Sequence, residues 1–165
     1  GQASLSHDCS RLQEVATDSL DRKIIQILQG DGRASHAQVS RDLGVSEGTV
    51  RRRLAKLLQD RIIRIIAMAE PEQLGYHTSA FIGLQVDPAH VEEVADQLAR
   101  LTETEHVSIT TGSYDIFIWV NLASSEALAS FLHGKVGAIP GVRHTETFVG
   151  LETKKRIAGP GLRED

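Results

Sequence analysis

The sequence has few of the residues that stabilise secreted proteins or anchor proteins in membranes. It contains one cysteine, Cys9, among 165 residues, which excludes an internal disulfide and a cysteine-based metal site and suits a reducing compartment. No apolar run approaches the roughly 18 residues of a membrane span, and the first residues carry no charged-then-apolar signal pattern. We therefore expect a cytoplasmic protein without a membrane partner.

Patterns that would indicate catalysis or metal binding are also missing. The seven histidines show no i, i+3 or i, i+4 pairing, the spacing at which one helix face presents two metal ligands. There is no serine-centred nucleophile elbow, no phosphate-binding glycine loop and no pair of catalytic carboxylates. The sequence accordingly predicts no catalytic residue, no metal and no cofactor.

Charge is distributed unevenly along the chain, whose formal net charge is −4. Residues 1–70 hold 11 Lys and Arg against 9 Asp and Glu, whereas residues 71–165 hold 7 against 13. A weakly basic first half can meet a polyanion, while an acidic second half is better suited to protein or small-ligand partners. The length allows two small cores, and the charge contrast favours two domains.

Residues 35–59 predict two short helices joined by a tight turn. Ser35 and Gln38 have the spacing of a capping box, and Gly44 followed by Ser46 supplies a helix stop and a new N-cap within three residues. An upstream helix has an apolar stripe made of Leu20, Ile24, Ile27 and Leu28. Three helices around one core are typical of a helix-turn-helix domain.

The second helix of this pair has a cationic outward face. At 100° per residue its inward residues are Val50, Leu54, Leu57 and Leu58. A DNA major groove, about 12 Å wide, admits one such helix. We expect Thr49 and Arg52 to contact base edges and the other cations to contact phosphates; a solvated helix face is the alternative. The predicted DNA-binding residues are Ser46, Gly48, Thr49, Arg51, Arg52, Arg53 and Lys56.

The segment that follows is predicted to lead out of the first domain. Residues 62–67 are mostly β-branched and predict an isolated hinge strand, and residues 70–77, with Pro71 and Gly75, predict a linker. The expected order is a polar N-terminal tail at 1–17, a helix-turn-helix domain with the hinge strand at 18–69, a linker at 70–78, a second domain at 79–153 and a flexible C-terminal tail at 154–165.

The second domain alternates between strand and helix patterns. Strand patterns at 80–86, 107–111, 116–122 and 142–151 are interrupted by helix patterns that begin after Pro88 and at Ser124 or Ser125. This βαββαβ order is the ferredoxin-like arrangement. The predicted fold class is α+β, with an N-terminal helix-turn-helix domain and a C-terminal ferredoxin-like sandwich domain.

One face of such a sheet is left without helices. In residues 116–122 both alternating sets of side chains are apolar, with Phe117 and Trp119 in one of them, so both faces of that strand need a cover. The simplest cover is the sheet of a second copy. We expect a homodimer, which also places two helix-turn-helix units to read half-sites about 34 Å apart.

Several motifs taken in order resemble one family. The segments LDRKIIQILQGDGRAS, LGVSEGTVRRRLAKL, TTGSYDIFIWV and IPGVRHTETF together resemble the Lrp/AsnC (leucine-responsive and asparagine regulator) family of prokaryotic transcription regulators, over about Ser19 to Thr153. The resemblance implies an N-terminal domain that binds double-stranded operator DNA and a C-terminal domain that dimerises, often assembles further into octamers, and senses an amino acid or related metabolite. Arg61 departs from the family pattern, which usually has glycine there.

The resemblance also implies the position of an effector site between dimers. The residues it assigns are Val107, Gly112, Ser113, Asp115, Leu132, His133, Gly134 and Lys135. Amides near Gly112 and the ammonium of Lys135 suit a carboxylate, and Asp115 suits an ammonium group. The alternative is an ordinary hairpin turn and a solvated lysine near a helix end.

Two other functions remain open. Some sirohaem decarboxylases resemble this two-domain architecture and use histidine and arginine on a substrate carboxylate; His106, Arg143 and His144 are the only candidates here for that role. A DNA-independent amino-acid sensor is the third interpretation, which the basic helix disfavours.

Overall fold

The computed structural model describes residues 17–154. They form two units, one ending at Met68 and the other beginning at Ala69. The first is a bundle of three helices, and the second is a four-stranded sheet with helices, so the predicted α+β class is confirmed. Within these residues no helix is both long and apolar enough to cross a membrane.

The first unit consists of α1 (Ser19–Gly30), α2 (His36–Leu43) and α3 (Glu47–Gln59). Its buried core residues are Ile24, Ile25, Val39, Val50 and Leu57. Leu58, which we predicted to face inward, is 39% exposed because the core is already filled on that side by Leu57 and the chain that follows α3.

Side-chain caps fix the start of each helix in this unit. Asp18 and Asp21 form a reciprocal capping box at α1. Ser35 accepts a hydrogen bond from the backbone N–H of Gln38 at 3.2 Å, but the Gln38 side chain donates to Asp42 rather than reaching back. The predicted capping box at α2 is therefore only a simple N-cap.

Residues 62–67, predicted as an isolated hinge strand, pair with no strand in the part of the chain that the structure describes. Residues 63–70 have no regular secondary structure, because a strand requires a partner for its backbone groups and none lies beside this segment within the described chain. Ile62 and Ile63 instead turn back to donate backbone hydrogen bonds to the carbonyl of Leu57. Ile65, Ile66 and Met68 are left exposed. The β-branched composition indicated an extended conformation, but not a paired one.

The segment predicted as a linker is partly structured. Pro71–Leu74 is a 3-10 helix with Pro71 at its first position and Gly75 in the left-handed region at its end. Pro71 is buried. Pro at the first turn and Gly after the last is the usual arrangement for a short helix.

The second unit is built on one antiparallel sheet. Its elements are β1 (Thr78–Val86), α4 (Val91–Ala99), β2 (Thr104–Ile109), β3 (Ile116–Leu122), α5 (Ser125–Phe131) and β4 (Val142–Val149). The strand order is β2-β3-β1-β4, and every pair is antiparallel. This order and connectivity are ferredoxin-like, as predicted.

The two faces of the sheet differ in cover. Side chains such as Ile82, Leu84 and Ile118 are fully buried with Val94 and Leu98 of α4. The opposite face is open: Phe81 lies beside Trp119 on β3 and beside Phe148 on β4, and the exposed fractions of Phe81 and Phe148 are 48% and 47%.

Candidate DNA interface and ligand site

Ser46 fixes the N-terminal end of α3. Its Oγ accepts a hydrogen bond from the backbone N–H of Thr49 at 3.1 Å and lies 2.9 Å from the Thr49 hydroxyl. The predicted N-cap is therefore confirmed, and the same contact holds the Thr49 side chain in one orientation. The first turn of a recognition helix is the part that reaches base edges. The contact between Ser46 and Thr49 therefore fixes the side chains of α3 that such a helix would present to DNA.

The cations of α3 fall into two groups. Arg51 pairs with Glu47 at 3.1 Å on the exposed surface, and Arg53 pairs with Asp18 at 2.6 Å and with Asp21 at 3.4 Å. Arg52 and Lys56 are exposed, and neither has an ion pair or side-chain hydrogen bond in the part of the chain that the structure describes. The free positive charge of α3 is thus concentrated at Arg52 and Lys56.

Arg53 holds α3 against the start of α1. Its side chain is 33% exposed, and that of Asp21 is 13% exposed. The backbone N–H of Asp21, and then the guanidinium of Arg53, lower the pKa of Asp18, because both interactions favour the carboxylate. The structure therefore places Arg53, predicted as a phosphate contact, in an internal ion-pair cluster.

The loop between β2 and β3 is anchored firmly on β1. The carboxylate of Asp115 accepts from the backbone N–H of Val86 at 2.8 Å, and the backbone N–H of Asp115 donates to the carbonyl of Leu84 at 2.8 Å. Six residues separate the strands, with Gly112 at φ 111, so the loop is longer than an ordinary two-residue hairpin turn. Asp115 retains one carboxylate oxygen without a hydrogen bond in the described chain.

Tyr114 is a residue of this loop that the sequence analysis missed. A Cβ added at Gly83 would lie 2.8 Å from Cγ of Tyr114, so the ring lies directly over the glycine backbone. The ring also meets Phe117 edge-on at 5.3 Å between centroids. A glycine inside an otherwise regular strand pattern indicates such a close approach, and Gly83 was the signal available.

The end of α5 has unusual backbone geometry. Leu132–Val136 forms a π-helix, and the backbone N–H of Gly137 donates to the carbonyl of Leu132 at 2.8 Å. Single π-helical turns inside helices occur frequently at functional sites. The four predicted effector residues 132–135 all lie in this turn.

Lys135 is engaged within the chain. Its ammonium lies 2.5 Å from Oε1 of Glu103, and this hydrogen bond lowers the pKa of Glu103. Lys135 also lines a shallow groove of ≈ 410 Å³. The other residues that line this groove are Gln97, Arg100, Leu101, Ala138 and Ile139.

One chain does not bring the two predicted halves of the effector site together. Glu103, the partner of Lys135, immediately precedes β2, whereas the loop with Gly112 and Asp115 follows its far end. Six extended residues span about 20 Å. Ligand contacts from both halves therefore require two copies of the domain.

The candidates for the enzymatic alternative are dispersed. His106 lies on edge strand β2 and His144 on edge strand β4, with β3 and β1 between them, so three strand spacings put them at least about 14 Å apart. Arg143 lies 3.4 Å from Asp87 and donates to the carbonyl of Val86. Within residues 17–154 no group of three or more His, Cys, Asp or Glu is placed to hold a metal ion.

Fold and sites together define a helix-turn-helix DNA-binding protein with a separate ligand-binding domain. Residues 18–58 match the AsnC-type helix-turn-helix domain, and residues 79–159 match the Lrp/AsnC ligand binding domain. The chain belongs to the Lrp/AsnC family of transcriptional regulators, as the resemblance implied. It is a ligand-modulated regulator of transcription and not an enzyme, so the decarboxylase alternative is wrong.

Individual relatives agree with this assignment. An HTH-type transcriptional regulator of Pyrococcus furiosus is 43% identical over 139 residues, which cover 84% of this chain and 94% of that protein. The solved structure of Escherichia coli AsnC is 33% identical, covers 87% of this chain and 97% of its own, and has a TM-score of 0.81. A transcriptional regulator from Neisseria meningitidis in complex with L-Met has the same fold, with 23% identity, a TM-score of 0.83 and coverage of 88% and 97%.

Proposed function

We propose that the protein reads its operator with the exposed face of α3. In this proposal Thr49 and Arg52 contact base edges, Arg51 and Lys56 contact phosphates, and Ser46 and Gly48 form the helix end that enters the groove. The observation that supports it most directly is the pairing pattern: Arg52 and Lys56 have no ion pair among residues 17–154, whereas Arg53 is held by Asp18 and Asp21. An unpaired cation loses no internal contact when it binds DNA.

Operator binding by single-residue variants tests this proposal. For Arg52→Ala we expect a loss of about 1–3 kcal/mol, or roughly 5- to 150-fold, on the cognate operator. For Lys56→Ala we expect weaker binding to all sequences and a salt slope smaller by about 0.9 per lost phosphate contact. The matched control is Arg100→Ala, which removes one exposed cation from the second unit. Equal affinities for Arg52→Ala and Arg100→Ala would overturn the assignment of α3.

We further propose that two copies associate through the open face of the sheet. Phe81, Trp119 and Phe148 form an aromatic row across three strands, and Phe81 meets Trp119 edge-on at 4.1 Å between ring centroids. Contiguous exposed aromatics of this kind are typical of interfaces. A two-fold dimer presents two α3 helices to half-sites about 34 Å apart.

The effector in this proposal is an amino acid bound between dimers. The free oxygen of Asp115 suits its ammonium group, and Lys135 and the amides near Gly112 suit its carboxylate. Support comes from the ligand-binding domain match, from the L-Met complex of the Neisseria relative and from the separation of the two half-sites within one chain. Dimers joined in this way assemble further, for example to an octamer, and we place the protein in the cytoplasm of a prokaryote.

The regulatory mechanism is linkage. An effector that binds one assembly or one spacing of the DNA-binding units more tightly shifts the population toward it, and operator affinity changes by the same coupling free energy. The effector must therefore bind one of the two states more tightly than the other, because equal binding to both would leave operator affinity unchanged.

A thermal-shift screen of the twenty amino acids tests the effector site. A ligand present at 100 times its dissociation constant stabilises the protein by about 2.7 kcal/mol. We expect Asp115→Asn, which keeps an acceptor for Val86, and Lys135→Gln to abolish that shift. Lys154→Gln, at an exposed lysine of the same unit, is the control. A shift that survives in both site variants would place the ligand elsewhere.

A further inference from the structure

Arg61 adopts a backbone conformation that is unfavourable for its residue type. Its φ is 56°, in the left-handed region, and it is the one non-glycine residue with positive φ among residues 17–154. Left-handed backbone brings Cβ close to the following carbonyl oxygen in every residue except glycine. Glycine adopts this conformation without strain, which raises the question of what arginine contributes here.

The turn that contains Arg61 is a complete Schellman motif. The backbone N–H of Arg61 donates to the carbonyl of Leu58 at 3.2 Å, and that of Ile62 donates to Leu57 at 2.9 Å. Ile62 packs against the core that contains Leu57. These are the two hydrogen bonds and the hydrophobic contact of the motif, whose left-handed position is occupied by glycine in most proteins.

The same chain contains the same turn with glycine. At the end of α2 the backbone N–H of Gly44 donates to Arg41 at 3.4 Å, that of Val45 donates to Ser40 at 3.2 Å, and φ of Gly44 is 64°. The helices α2 and α3 thus end in the same type of motif, and only the motif after α3 has a residue with a side chain at the left-handed position. The turn itself does not need arginine.

Nothing inside the described chain engages the Arg61 side chain. It is exposed, and it has neither an ion pair nor a side-chain hydrogen bond among residues 17–154, unlike Arg51 and Arg53 of the same segment. It follows α3 by two residues and Lys56 by five, so it lies in the turn at the C-terminal end of α3. Its positive charge therefore lies just past the C-terminal end of the helix that carries Arg52 and Lys56.

We propose that Arg61 is a phosphate-binding residue at the DNA interface and that its unfavourable backbone conformation is retained for this contact. Local strain that no internal contact compensates is typical of functional positions, and arginine binds phosphate with two parallel N–H donors. This inference rests on the proposed use of α3 as the recognition helix. A competing role is stabilisation of the C-terminal end of α3 by a nearby cation.

The experiment compares the full-length protein with Arg61→Gly, Arg61→Asn and Arg61→Lys. Binding to a fluorescein-labelled, mixed-sequence DNA duplex is measured by anisotropy at KCl concentrations from about 50 to 200 mM, because sequence-independent binding reports phosphate contacts. Thermal unfolding of each variant is measured in parallel. Lys56→Ala, which removes a proposed phosphate contact of α3, serves as the variant of the interface on which the inference rests.

We expect DNA affinity and stability to change in opposite directions. Arg61→Gly and Arg61→Asn, which tolerate the left-handed region, raise the unfolding midpoint by about 2–5 °C. The same variants lower affinity about five- to tenfold and reduce the salt slope by about 0.9 per protomer. Arg61→Lys keeps most of the slope and gains no stability.

The outcomes separate this inference from the proposed function. Wild-type affinity and slope in Arg61→Gly, with a lower unfolding midpoint, would assign Arg61 to the helix end and overturn the inference. Wild-type affinity with a higher midpoint would overturn it as well. If Arg61→Gly behaves like wild type while Lys56→Ala loses affinity, only the inference fails; if Lys56→Ala keeps its affinity, the proposed assignment of α3 fails.

Discussion

At the scale of single residues, neighbouring arginines on one helix have different roles. Arg51, Arg52 and Arg53 are adjacent in sequence, yet one pairs with a residue of its own helix, one is free in the described structure and one is bound by two carboxylates near the start of α1. Successive residues are 100° apart around a helix. In a run of arginines on a helix, some side chains therefore face solvent and others face the protein. Composition alone does not show which of them do so.

The first residue-scale prediction concerns Arg53. Arg53→Ala leaves Asp21, whose side chain is 13% exposed, without its cation, and we expect a loss of about 1–2 kcal/mol in the free energy of unfolding. Arg51→Ala removes only an exposed pair and is expected to cost less than about 0.5 kcal/mol. Urea unfolding measures both. Equal losses would show that the cluster with Asp18 and Asp21 does not stabilise the helical bundle.

The second residue-scale prediction concerns the pH dependence of the contact between Glu103 and Lys135. Because Lys135 lowers the pKa of Glu103 below its usual 4.5, the contact stabilises the folded state fully above pH 4.5 and is lost as pH falls through the lowered pKa. Glu103→Gln is therefore expected to be less stable than wild type at pH 7, by less than about 1 kcal/mol. Urea unfolding at pH 7 and at acidic pH should show that difference shrinking; a constant difference would contradict the ion pair.

At the scale of elements, the loop between β2 and β3 links two surfaces. Asp115 fixes one side of the loop to the end of β1, and Tyr114 fixes the other side over Gly83. Since Gly83 is opposite Phe117 in the register, the Tyr114 ring belongs to the open face of the sheet. A loop displacement caused by ligand would move a side chain on the proposed dimer surface.

The element-scale prediction is a double-mutant cycle at this contact. Gly83→Ala places a methyl group 2.8 Å from Cγ of Tyr114, so the ring must move, and we expect a loss of about 1–3 kcal/mol. In a Tyr114→Ala background the space is vacant and the same substitution should cost far less. Chemical unfolding of the four proteins measures the coupling. Equal losses of stability in both backgrounds would mean that the Tyr114 ring is not the reason why position 83 requires glycine.

At the scale of the whole molecule, the open face of the sheet carries an aromatic row made of Phe81, Trp119 and Phe148. Phe81→Arg places a charge in the middle of the aromatic row, and we expect the variant to dissociate at concentrations where wild type is dimeric. Ile109→Arg is a matched control, because Ile109 is also 48% exposed but faces the helical side, opposite Ile116. Light scattering coupled to size-exclusion chromatography gives the masses. A normal dimer for Phe81→Arg, or dissociation of both variants, would contradict the proposed interface.

The elements of the fold were largely predictable from the sequence. Alternation of apolar side chains, the N-cap at Ser46 and the stop at Gly44 depend on neighbours a few residues away, and the structure contains the expected helices and ferredoxin-like strand order. Failures occurred where an interaction with another element or another copy decides the conformation. Residues 62–67 have the composition of a strand but no partner within the described chain.

The sequence by itself determined the class of fold, the cationic recognition helix and the family, because these follow from periodicity, capping and motif order along the chain. Only the tertiary structure decided which cations of α3 have no partner among residues 17–154, that Tyr114 covers Gly83, and that Arg61 has the backbone conformation usual for glycine. It also decided that the two halves of the proposed effector site lie about 20 Å apart along β2. These facts depend on distances between residues remote in sequence, or on the sign of one backbone angle. The pattern of residue types along the sequence shows neither these distances nor that angle.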